Sequence, residues 1–202
     1  MSKELDRAEG LRKEDAVLVK DFQAGNRTSF DELVLRHKDR VFNVCYKFLG
    51  DYQEANDSAQ ETFVKVYRSL RRFRFEATFS TWLYRIAVNT CKNKLTSLEH
   101  RHRKKMVRLD NPGEAEGTAH VIEIRDENQS PLIELERKER LSLIQKAIES
   151  LPIEQKAVVV LRDIEGVSYE EIAHITGDRL GTVKSRLARA RLELREKLSG
   201  VI

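Results

Sequence analysis

Hydrophobic positions recur every three or four residues along most of the chain, and no alternating β-branched run of useful length interrupts them. The pattern predicts an all-α protein. AVLVKDFQAG reads as a first helix ending at Gly25 and Asn26. SFDELVLRHKDRVFNVCYKFLG reads as a second, with Phe30, Leu33, Val34, Val41, Val44, Cys45 and Phe48 facing a core and Gly50 closing it. Ser29 and Glu32 have the spacing of a capping box at its start. In DYQEANDSAQETFVKVYRSL, Ala55, Ala59, Phe63, Val66 and Leu70 face inward. Asp57, Gln60, Glu61 and Arg68 face outward as a mostly acidic surface, and solvent alone accounts for such a face.

RRFRFEATFS breaks the helical pattern, interleaving Phe73, Phe75 and Phe79 with Arg71, Arg72 and Arg74. Rings alternating with cations in a short connector suit single-stranded nucleic acid, rings stacking on bases and cations following phosphates. Core rings beside solvated arginines account for it equally well. TWLYRIAVNTCKNK then carries two stripes. Leu83, Ile86, Ala87, Thr90 and Leu95 suit a core, while Trp82, Arg85, Asn89, Lys92, Asn93 and Thr96 lie roughly opposite. The second stripe holds a ring, a guanidinium, amides and an ammonium but no carboxylate. It suits an anionic partner with flat rings and hydrogen-bonding edges. The alternative is a solvated face with Trp82 wedged into a neighbouring helix.

NPGEAEGTAHVIEIRDENQS, rich in acids and containing one proline and two glycines, reads as a flexible linker. Ser130 and Pro131 suit the cap and first turn of the next helix. LPIEQKAVVVLRDIEG starts near Pro152 and stops at Gly166. VSYEEIAHITG follows, with Ser168 and Glu171 spaced as a second capping box, and after a short turn comes the basic helix LGTVKSRLARARLELREKLSG. The last two form a helix-turn-helix. In the final helix Val183, Leu187, Ala190, Leu194 and Leu198 share the docking face. Lys184, Ser185, Ala188 and Arg189 face away with chemistry suited to phosphates and base edges.

Charge distribution sharpens this division. The chain of 202 residues has a formal charge of only +4, but from Thr81 to Leu109 eight Lys or Arg face a single acid, Glu99. From Asp110 to Pro131 six acidic residues face Arg125 alone, and Arg179 to Lys197 turns basic again. Such alternation fits two nucleic-acid-facing modules around a segment with another task. Cys45 and Cys91 fit no disulfide framework or zinc site and suit buried positions in a reducing cytoplasm. His100 and His102, within HRHRKK, make a poor metal site. There is no phosphate loop, nucleophile elbow or supported carboxylate pair. No catalytic residue, cofactor or metal is expected, nor membrane insertion or a signal peptide.

DSAQETFVKVY, TFSTWLYRIAVNTCKNKL and the pair VSYEEIA and GTVKSRLARAR, in this order around an acidic linker, resemble the extracytoplasmic-function sigma factors of bacterial RNA polymerase over nearly the whole chain. The resemblance implies two small helical domains, 1–110 and 132–202, joined by the linker 111–131. It implies that Asp57, Gln60, Glu61 and Phe63 meet core polymerase, at the β′ clamp helices, with further contact to the β subunit. Trp82, Arg85, Asn89, Lys92 and Asn93 would open and read the −10 element. The loop from Phe75 through Thr78 and Phe79 to Ser80 would hold a flipped-out base of the non-template strand. Thr182, Lys184, Ser185, Arg186, Ala188 and Arg189 would enter the −35 major groove.

The linker would thread the polymerase cleft toward the RNA exit channel, and an anti-sigma factor is an implied partner. Phe75 and Glu76 depart from the glycine and aspartate common in relatives, leaving the preferred flipped base open. Thr176 and Asp178 stand where apolar residues are usual, and Asp178 is a candidate cap for the last helix. A free-standing helix-turn-helix regulator is the alternative, but it leaves DSAQETFVKVY and the aromatic loop without a task. A protein-interaction adaptor that never touches DNA must treat both basic helices as merely solvated.

Overall fold

The computed structural model describes residues 14–106 and 131–199, and every regular element in them is helical. α1 covers residues 14–23. α2 (Thr28–Leu49), α3 (Tyr52–Ser69) and α4 (Phe79–Met106) follow, with a 3-10 turn at Leu70–Arg72. The second group is α5 (Pro131–Glu149), α6 (Ile153–Val159) with a π-helical turn at Val160–Ile164, α7 (Tyr169–Thr176) and α8 (Leu180–Leu198). The acidic linker expected over 111–131 lies outside the described residues except for Pro131, which opens α5 as its position in the sequence suggests.

The inward stripes form as the spacing requires. Leu33, Val41, Val44, Cys45 and Phe48 of α2, Ala55, Ala59 and Val66 of α3, and Leu83 and Ala87 of α4 are buried together. Phe63 is only partly buried, at the edge of this core. Val183, Leu187 and Ala190 dock α8 in the same way. Cys45 and Cys91 are free and buried, and the Cys91 thiol is pushed up by its hydrogen bond with Cys45 and by burial.

The start of α2 differs from expectation. Ser29 is buried and caps nothing; the helix begins at Thr28, whose N–H and hydroxyl both donate to Asn26 Oδ1 at 3.1 and 2.7 Å. Glu32 is drawn instead to Arg36, one helical turn on, at 2.5 Å. α2 starts before Ser29, which therefore sits inside the first turn, where its side chain cannot cap the helix. The second box does form: Ser168 accepts from Glu171 N–H at 3.2 Å while Glu171 accepts from Ser168 N–H at 3.3 Å. Asp178 does not cap α8; Arg179 holds the N-cap position and Asp178 pairs with Arg186.

α4 carries a third stripe. Tyr84, Val88 and Cys91 are buried as fully as the expected core residues. Tyr84 is covered by the second group of helices, since α7 packs along α4 while α5 and the π turn pack on α2, whereas Cys91 lies against Cys45 of α2. The Tyr84 hydroxyl donates to Glu165 Oε2 at 2.8 Å, and the Thr81 hydroxyl donates to Glu171 Oε1 at 3.2 Å. Burial raises the Glu165 carboxyl above its ordinary 4.5, against the opposing pull of Tyr84 and Arg40. A raised carboxyl favours its protonated form in the folded chain, so native stability falls as pH climbs from 4.5 through the shifted value. Glu165→Gln keeps an acceptor for Tyr84 without the desolvated charge. Its thermal midpoint should exceed that of the native chain at pH 8 and converge with it on acidification. Each kcal/mol recovered corresponds to about 2 to 4 °C.

Candidate nucleic-acid interface

The connector between α3 and α4 is built around its rings. Phe73 is buried and lies 5.0 Å from Phe75 on one side and 5.0 Å from Trp82 on the other. Phe79 completes the array, 6.1 Å from Trp82. It also packs 5.3 Å from His37, a buried side chain whose Nε2 meets Asp15 Oδ2 of α1 at 2.8 Å. Buried Phe73 thus ties the exposed ring of Phe75 to Trp82 on the outer face of α4. Thr78 begins the helix: its hydroxyl accepts from Thr81 N–H at 3.2 Å, as an N-cap does.

On that surface Arg85, Asn89 and Asn93 are exposed at four-residue spacing and Trp82 is half-buried beside them. Two expected contacts are displaced. Phe79 is only 4% exposed, so it backs Trp82 from within the core rather than meeting a strand. Lys92 is turned to α6, where its ammonium lies 2.8 and 3.1 Å from the two carboxylate oxygens of Glu154.

α8 divides similarly. Lys184, Ala188 and Arg189 are exposed, and Thr182 and Ser185 are partly so, with the Ser185 hydroxyl bonded to Thr182 O at 3.0 Å. Lys184 Nζ lies 5.8 Å over the ring of Tyr169. Arg186, expected among the DNA contacts, is pulled inward by Asp178 and by Glu154 at 3.3 Å. Glu154 thus holds one cation from each expected DNA face. Sequence reasoning missed it, since pairing 62 residues away in the chain leaves no local signal.

The acidic side of α3 is open as expected: Asp57, Gln60 and Glu61 are exposed. Gln60 and Phe63 line a groove of about 340 Å³ between α2 and α3, walled by Val34, Phe42, Tyr52 and Ala59. Its lining is mainly apolar, with Lys38 and Asp39 the only charged members, and suits the apolar side chains of a helical partner. Among the described residues no helix is long and apolar enough to cross a membrane, and no cluster of His, Cys, Asp and Glu could hold a metal ion.

Residues 33–101 match the family model of sigma-70 region 2, and residues 141–194 match that of sigma-70 region 4. The RNA polymerase sigma-H factor of Pseudomonas aeruginosa is 38% identical over 180 residues, 89% of this chain and 91% of that protein. The ECF RNA polymerase sigma-E factor of Haemophilus influenzae is 36% identical over 185 residues, 91% and 95% of the two chains. Among solved structures, CnrH in complex with the cytosolic domain of CnrY superposes with a TM-score of 0.65 at 24% identity, covering 93% of this chain and 98% of that one, and thus shares the fold.

Proposed function

The chain belongs to the extracytoplasmic-function sigma factors of bacterial RNA polymerase, and from this premise we propose how its faces divide the task. A sigma factor catalyses no reaction itself; it binds core polymerase, directs it to −10 and −35 promoter elements and assists melting. Its partners are core polymerase, promoter DNA and an anti-sigma factor, and we place its action in the cytoplasm. Residues 1–110 and 132–202 are the two working units, with 111–131 as the segment between them.

The single observation that carries the reading is the continuity of Phe75, Phe73 and Trp82 with the exposed row Arg85, Asn89 and Asn93. Rings offer stacking surfaces, amides offer hydrogen bonds to base edges, and arginine offers a phosphate contact, all on one side of one helix. Extruding a base costs a few kcal/mol, while stacking returns about 1 to 3 kcal/mol per base. No hydrolysis is needed if bases are captured as they open. Thr78 fixes the start of that helix and Phe79 supports its ring. α8 meets the duplex through Lys184, Ser185, Ala188 and Arg189, and the groove of Gln60 and Phe63 with Asp57 and Glu61 meets core polymerase. Lys92 and Arg186 join their DNA faces only when Glu154 releases them.

Footprinting the holoenzyme tests this division. Upstream duplex protection and permanganate-reactive thymines near −10 should appear in one complex; protection without reactive thymines removes the strand-capture role. Arg189→Ala should weaken upstream-element binding by roughly 1 to 3 kcal/mol and relax discrimination at one base pair. Glu154→Gln, which frees Lys92 and leaves Arg186 held by Asp178 alone, should raise the free chain's affinity for promoter DNA severalfold, on the order of 1 kcal/mol. Gel-shift titration at fixed salt reads both.

A further inference from the structure

α1 lies before residues 33–101, where the region 2 match falls, and the division of faces above gives it no task. Its inward side carries Val19 and Phe22, both buried, with a polar residue beyond each end, Asp15 and Gln23. These two stand about two helical turns apart and so share one face. An apolar pair would seat so short a helix without desolvating polar groups.

Each of the two polar residues leads to a ring packed against Trp82. The Gln23 side-chain amide donates to Phe73 O at 2.9 Å and to Leu70 O at 3.1 Å, which fixes the backbone that carries the Phe73 ring. That ring stands 5.0 Å from Trp82. Asp15 acts through one more residue. Its Oδ2 accepts from His37 Nε2 at 2.8 Å, and the direction of that bond sets the turn of the imidazole. His37 meets Phe79 edge-on at 5.3 Å, and Phe79 stands 6.1 Å from Trp82. Asp15 and His37 are both buried, and Asp15 Oδ1 has no hydrogen-bond partner among the described residues, the Arg36 guanidinium standing 3.8 Å away. Burying an incompletely bonded carboxylate lowers stability, so packing alone does not account for it.

We propose that Asp15 and Gln23 are positioning residues for strand capture. Through His37 and Phe79 on one path, and through Phe73 on the other, they hold the Trp82 ring in the setting where an unpaired base stacks on it. α1 thereby serves promoter opening without touching DNA. A misplacement of about 1 Å costs a step that depends on alignment as much as about a hundredfold. The inference rests on the assignment of Trp82 to the melted strand.

The test uses holoenzyme on a promoter whose start site the enzyme uses. Asp15→Ala should open it about tenfold more slowly, with closed-complex affinity in the cold within about twofold of native. In a Trp82→Ala background the same change should cost less than about twofold, because the ring it positions is gone. Asp15→Asn, which keeps an acceptor for His37, should restore most of the rate. Gln23→Leu should repeat the pattern at about threefold, and it carries the test should Asp15→Ala fail to fold. Trp82 is the chain's single tryptophan, so the free chain reports the setting of that ring directly. Acrylamide quenching of its fluorescence should rise in Asp15→Ala and in Gln23→Leu while the circular dichroism spectrum stays native.

The same loss of opening rate with and without the Trp82 ring, a matching loss of closed binding, or unchanged opening or quenching overturns the proposal and leaves the α4 assignment standing. Trp82→Ala that opens promoters at the native rate overturns that assignment, and the positioning role with it.

Discussion

Alanine at both Trp82 and Asn89 lowers the rate of promoter opening by about two orders of magnitude while closed-complex affinity changes only a few-fold. Stacking and a base-edge hydrogen bond each contribute about 1 to 3 kcal/mol where they form, and each tenfold in rate is 1.36 kcal/mol. The separation of steps follows from geometry. Trp82 is half-buried against Phe73 and Phe79, and Asn89 lies two helical turns along the exposed row. In the proposed division both would face a strand that exists only after melting, whereas α8 would meet the duplex beforehand. Stopped-flow fluorescence of a −10 reporter gives the opening rate, and gel shift in the cold gives closed binding. Equal losses in both would remove the strand-capture role.

Phe63→Asp should reduce holoenzyme formation by about a hundredfold or more. Buried aromatic anchors at the centre of an interface commonly cost 2 kcal/mol or more on truncation, and a carboxylate in an apolar groove adds an unpaired charge. The ring lines the groove with Val34, Phe42 and Tyr52, so the substitution strikes its apolar wall. Because Phe63 is only partly buried, the helices should persist. Circular dichroism and upstream-element binding by α8 should remain near native while co-elution with core polymerase is lost. Glu61→Ala, on the solvated face of α3 and already paired with Lys65 at 2.8 Å, should cost far less.

Local chemistry was legible in the sequence and long-range pairing was not. The Ser168 and Glu171 capping box formed because both partners lie within one turn and nothing nearer competes. Ser29 had the same spacing, but α2 starts at Thr28 and leaves Ser29 inside the first turn. The inward stripes of α2, α3 and α8 followed from spacing alone. On α4, periodicity found the row that faces out and the row that faces the first core. It missed Tyr84 and Val88, because helices joined beyond 111–131 cover that side. Phe79 was read as a strand contact from its neighbours' chemistry, yet it is sealed beneath Trp82 by His37, itself buried through its bond to Asp15. Arg186 and Lys92 have the charge expected of DNA contacts and lie on the helices proposed to make them. Only three-dimensional proximity to Glu154 turns them aside.

The most direct measurement is run-off transcription by purified core polymerase, free of other sigma factors, on fragmented genomic DNA with and without this chain. Addition of the chain should yield transcripts whose 5′ ends share two upstream sequence boxes at constant spacing, and the chain should elute with the enzyme. Random initiation unchanged by the chain, together with no co-elution, would contradict the account.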